Sequence, residues 1–121
     1  MTKNSSYENT AKRLLNSIPS SVVYDANHIA MSSYREYEIK SKPGLNLIDL
    51  EKRIKKFILN GVEVLRQIPE YTGAVEDFKP DRKNGLERRG NNLVMSGPTL
   101  SNFLVVANCC QKIADNQKNN I

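Results

Sequence analysis

The chain has one histidine and two cysteines, and each scarcity removes a class of function. Cys109 and Cys110 are adjacent. Neighbours on a helix point about 100° apart and do not bridge readily. No C-x-x-C pair and no Cys/His spacing of a zinc site occurs, so the pair reads as two small apolar residues in a helix, and no metal is expected. Their reduced state suits a reducing compartment. His28 has no cysteine or carboxylate cluster at ligand spacing, and a general base also needs an oriented partner. G-x-x-x-x-G-K-[ST], G-x-G-x-x-G and a nucleophile elbow are missing. The expectation is a protein without cofactor or catalytic residue.

Long apolar runs are also missing. None approaches the roughly 20 residues of a membrane-spanning helix. The segment 1–7 is polar and has no hydrophobic signal core. A cytoplasmic location without membrane contact is expected.

What is present is positive charge and helical periodicity. Lys and Arg number 18 against 13 Asp and Glu in 121 residues. That length suits one domain with a modest core, and an excess of five positive charges raises the prospect of a polyanionic partner. Leu47, Leu50, Ile54, Phe57, Ile58, Gly61, Leu65 and Ile68 recur with a period of about 3.6 residues and predict one helix face. The opposite face carries Lys52, Lys55, Lys56 and Arg66, with Leu59 among them. Lys52 and Lys56 stand at i,i+4 and repel slightly. Leu59 there marks a candidate protein contact.

Four helices are predicted in all. Ser5 and Glu8 have capping-box spacing before the stripe Ala11, Leu14, Leu15 and Ile18, which Pro19 stops. A second helix runs from Ser20 or Ser21 to about Glu38 on Val23, Ala26, Ala30, Tyr34 and Tyr37. Glu36 and Glu38, two apart on a helix, diverge there. Pro43-Gly44 is a turn, Asn46 a candidate N-cap, and Pro69 ends the third helix. Thr99 caps the last, with Leu100, Phe103, Leu104, Ala107, Cys110 and Ala114 as its stripe. Between lies 70–98, with little periodicity and the glycines 73, 85, 90 and 97. Within it, Leu93-Val94-Met95 suggests a short extended piece or a helical turn. The expected fold is all-α: an irregular four-helix bundle, one domain over 1–121, with one long basic loop before the last helix and with 1–4 and 116–121 frayed.

The loop carries Arg82, Lys83, Arg88 and Arg89. Phosphates need cations without strict spacing, and Gly85 and Gly90 would let the backbone approach closely. Aromatics for base stacking are few: Phe78 borders the basic stretch and Tyr71 precedes it. The eight candidate nucleic-acid contacts are thus Lys52, Lys55, Lys56, Arg66, Arg82, Lys83, Arg88 and Arg89.

Two resemblances bear on this. Leu65–Val75 is similar to the stretch before the catalytic arginine of mono-ADP-ribosyltransferases. Glu76 and Asp77 follow where that family places its arginine, and its Ser-Thr-Ser is missing, so transferase activity is not expected. Taken whole, the size, predicted helical bundle and basic faces resemble the small subunit of CRISPR effector complexes of the Cascade type. That resemblance implies a non-catalytic antiviral-defence subunit. It would hold DNA or RNA by its backbone, beside other protein subunits and in several copies. The rival expectation is a protein–protein adaptor or inhibitor of the phage or plasmid regulator type, without nucleic-acid binding.

Overall fold

The computed structural model describes residues 3–31, 36–78 and 85–119. Among them are five helices and three strands: α1 (Lys3–Asn16), α2 (Ser20–Met31), β1 (Glu36–Ile39), α3 (Leu47–Arg66), α4 (Pro69–Val75), β2 (Leu86–Arg89), β3 (Asn92–Ser96) and α5 (Gly97–Asn119). The fold therefore mixes helices with a three-stranded antiparallel sheet and is not an all-α four-helix bundle.

The sheet comes from two stretches, one expected to be helix and the other expected to be loop. The second helix does not reach Glu38; α2 stops at Met31. Glu36-Tyr37-Glu38-Ile39 is a strand because its burial alternates, with Tyr37 and Ile39 inward and both glutamates outward. Tyr34 lies outside the described residues. The long basic loop of 70–98 is also replaced. α3 does end before Pro69, at Arg66, but Pro69 also opens a further short helix, α4, where its missing N–H costs nothing. Downstream, β2 and β3 form a hairpin closed by Gly90-Asn91, with Arg89 opposite Asn92. Gly90 has φ +57, the left-handed setting that a two-residue hairpin turn requires. Leu93-Val94-Met95 is extended.

β3 is the central strand, in the order β1-β3-β2. Its three middle residues are all buried. Leu93 and Met95 face the helices with Ile39, Tyr37 and Leu86. Val94 faces the other way, between Glu38 and Glu87 on the flanking strands. Gly85 precedes β2 at φ +100, and its carbonyl accepts from the Ser96 N–H at 2.7 Å, extending the ladder.

The main core lies between α1, α3, α5 and the inner sheet face. α3 is the best-defined helix. Asn46 caps it, its side chain accepting from the Asp49 N–H at 3.0 Å, a contact worth about 1 kcal/mol. Leu50, Ile54, Phe57, Ile58, Gly61, Val62 and Leu65 are buried along it; Leu47 is only half-buried. Phe57 meets Phe103 of α5 with tilted rings 5.3 Å apart. Two further boundaries differ from expectation. Ser5 and Glu8 sit within α1 and not at its cap. α5 begins at Gly97, which places Thr99 in its first turn, and it continues to Asn119.

Candidate nucleic-acid interface

α3 buries one side, so its other side faces solvent by geometry. On a helix advancing about 100° per residue, Ile48, Lys52, Lys55, Leu59 and Arg66 fall along one outward line, with Lys56 beside it. All six are exposed. Ile48 and Leu59 retain 51% and 44% of their full exposure, high for large aliphatic side chains. The helix thus presents a row of cations with an aliphatic side chain at either end of its main stretch. Leu59 was legible as part of this face, whereas Ile48 was missed because it stands one residue after the start of the core stripe.

The cations on this face differ in what they already touch. Lys52 and Lys56 make no ion pair with any described residue. Lys55 Nζ lies 3.3 Å from Glu51 one turn earlier. Arg66 donates through Nη2 to the Phe78 carbonyl at 2.8 Å. It clips the chain after α4 back onto α3.

The remaining candidates do not form one basic loop. Arg82 and Lys83 lie outside the described residues. Arg88 and Arg89 belong to strand β2 and therefore project to opposite faces of the sheet. Arg88 faces the helices, its Nε 3.4 Å from Glu51, so Glu51 is shared between Lys55 and Arg88. Arg89 faces outward. Its guanidinium lies 2.8 Å from Glu87 and 3.2 Å from Glu36 on the far strand. These carboxylates, Glu87 first, hold its already high pKa higher still. Neither arginine is a free loop cation. Gly85 and Gly90 serve turn and ladder geometry rather than loop flexibility.

The outer sheet face is a site the sequence reading overlooked. Glu36 and Glu38 diverge on a helix, but residues two apart on a strand share a face. With Glu87 they place three carboxylates on one surface, two of which, Glu36 and Glu87, pair with Arg89. Asn92 donates to Glu38 at 2.9 Å. Val94 lies among these groups with 1% exposure.

Elsewhere, His28 is exposed on α2, its ring stacked on Tyr24 at 5.6 Å. Among the described residues, no group of three or more His, Cys, Asp or Glu is placed to hold a metal. No helix among them is long and apolar enough to cross a membrane. Both cysteines are buried and unbridged. Burial, and then the neighbouring Cys109, push the Cys110 thiol up to about 12, which suppresses the reactive thiolate. Compared with protein-family models, curated proteins and solved structures, the chain matches none.

Proposed function

We propose that this chain is a non-catalytic binding protein that contacts nucleic-acid backbone through the outward face of α3, within a larger assembly. The observation that carries this reading is the pair Lys52 and Lys56: two exposed ammonium groups one turn apart, without carboxylate partners among the described residues. Like charges at i,i+4 disfavour a helix slightly, and a phosphate chain would relieve that repulsion. Lys55 and Arg66 widen the face. Arg88 and Arg89 contribute less, since a phosphate would first have to displace Glu51, Glu36 or Glu87. The Cascade-type resemblance used a helical bundle that the fold does not have, so this proposal rests on the charge of α3 alone.

Fluorescence anisotropy against single- and double-stranded DNA and RNA across a salt series tests it. Neutralised phosphates release counterions. The double variant Lys52→Glu, Lys56→Glu should weaken binding equally for all sequences and flatten the logarithmic salt slope by about 1.4–1.8. An unchanged affinity and slope would remove α3 as the site.

A second reading has its own observation. Ile48 and Leu59 lie in line with the lysines, and phosphates have no use for them. An adaptor with an acidic protein partner uses both kinds of residue. Its partner is captured equally well after nuclease treatment, and the Leu59→Ser variant loses it while DNA binding is unaffected.

A further inference from the structure

We infer, resting on the reading of α3 as a backbone-binding face, that Lys55 and Arg88 form a phosphate site that Glu51 fills in the free chain. Glu51 and Lys55 stand one turn apart on α3 and share a flank of the helix. Arg88 comes from β2, an edge strand, on the same side as the buried Leu86, and so reaches Glu51. The carboxylate divides its oxygens. Oε2 lies 3.3 Å from Lys55 Nζ, and Oε1 lies 3.4 Å from Arg88 Nε. The Glu51 side chain keeps 20% exposure against 47% for Lys55 and 53% for Arg88, so the anion is set between two more exposed cations. Two cations from separate elements converging on one anion is an arrangement that holds a phosphate. The carboxylate is the chain's own stand-in for it.

The hold is loose. Charge-assisted contacts of this type measure roughly 2.7–2.9 Å. Arg53 with Asp49 at 2.9 Å and Arg89 with Glu87 at 2.8 Å reach that range, and both contacts of Glu51 fall outside it. Exposed pairs of this kind are weak. Even so, a tethered carboxylate is always at hand, and a free phosphate ion competes with it only from solution. A strand already held by Lys52 and Lys56 competes from beside it, at a raised effective concentration. The site therefore favours a chain of phosphodiesters over single phosphates. When the strand enters, Glu51 turns out to solvent, and Lys55 and Arg88 exchange one anion for another. The basic face then widens from α3 onto β2.

Fluorescence anisotropy on the full chain, with labelled single- and double-stranded DNA of mixed sequence, tests the site. Glu51→Gln should tighten binding about two- to thirtyfold at low salt, the range spanned by two exposed ion pairs. It should also steepen the logarithmic salt slope by about 0.7–0.9. Arg88→Gln separates a shared site from a general effect of charge. It should cost little in the wild-type chain, where Arg88 only exchanges Glu51 for a phosphate, and about fivefold more in the Glu51→Gln chain. Lys55→Gln should depend on Glu51 in the same way; it leaves the sheet untouched and replaces Arg88→Gln if that variant unfolds. A gain from Glu51→Gln that is the same with and without either cation would overturn the proposal, because one negative charge lost anywhere on the face does as much. Unchanged affinity and slope in Glu51→Gln would also overturn it, and the α3 reading survives that result if Lys52→Glu with Lys56→Glu still weakens binding. Failure of the α3 reading looks different: the lysine variant leaves binding unchanged, and the Glu51 site falls with it.

Discussion

At Gly61, α3 and α5 approach closely, and Gly61→Ala measures how closely. A Cβ built there stands 3.4 Å from both Cβ and Cγ2 of Val106 and well inside the contact distance of its Cγ1. Val106 has no exposure and cannot retreat into solvent. It is β-branched and holds essentially one rotamer in a helix. The added methyl must therefore separate the two helices. Overpacking of this kind costs about 1–3 kcal/mol. Alanine returns up to about 1 kcal/mol of helix propensity, so a net loss of about 1–2 kcal/mol is expected. Val106→Ala alone forfeits about 1.6 kcal/mol of transfer energy, before any cavity term. In the double variant the new methyl enters the space that Val106 vacates. Gly61→Ala should then turn neutral or stabilising, giving a coupling of about 1–3 kcal/mol. Urea unfolding of all four proteins by circular dichroism, with unchanged m-values, reads each number directly. A single variant as stable as wild type, with no coupling to Val106, would show that the helices do not meet as described.

Two further outcomes follow from the fold. Gly85→Ala places a side chain at φ +100, overlapping the Ser96 carbonyl and 2.9 Å from Thr99 Oγ1; a loss of at least about 2 kcal/mol is expected from thermal melts, and a stable variant would contradict the ladder geometry. Stability should also fall on the alkaline side. Burial first, and then the Asp25 carboxylate to which it donates at 3.3 Å, raise the Tyr37 phenol well above its ordinary range; burial likewise raises the Cys110 thiol from 9.0 to about 12. Both folded groups keep their protons after the unfolded chain has begun to lose them. Their stabilisation is therefore complete below about pH 8.5 for the thiol and about pH 10 for the phenol, and it declines as pH rises toward the folded values. Denaturant melts from pH 8 to 11 should show a flatter decline for Cys110→Ala and, above pH 10, for Tyr37→Phe. Curves parallel to wild type would refute the assigned burial.

Helical structure was legible where a stripe ran long enough to average out exceptions. α3 was legible from a cap at Asn46, a period maintained over five turns, and a far side rich in lysine; Glu51, at the margin of the buried side, is the exception. The sheet was harder to read because its strands have only four or five residues. Glu36-Tyr37-Glu38-Ile39 contains the alternation of a strand, but Tyr34 and Tyr37 also fit a helical spacing, and the longer pattern outweighed the shorter. Gly90-Asn91 was a readable hairpin turn. Flanked by arginines on one side and a continuous apolar run on the other, it lacked the alternation that usually accompanies such turns. The candidate site divided along the same line. The lysines of α3 follow from helix geometry alone. The partners of Arg88 and Arg89 depend on which strand lies beside β2, and Glu36 lies 53 positions away from Arg89.

That separation has a kinetic consequence. β1 has no sheet partner until β3 exists, and β3 lies more than fifty residues further along the chain. α1 packs on α5, which follows β3. During synthesis, α3 and α4 can form as they emerge, but β1 and the apolar side of α1 lack their partners until β3 and α5 leave the ribosome. Closure is then a single long-range event, and such events are slow because the loop entropy is lost before the contacts are gained. The nascent chain therefore passes through an interval in which an unpaired strand and an uncovered helix face are exposed together, the condition under which partly made proteins associate wrongly.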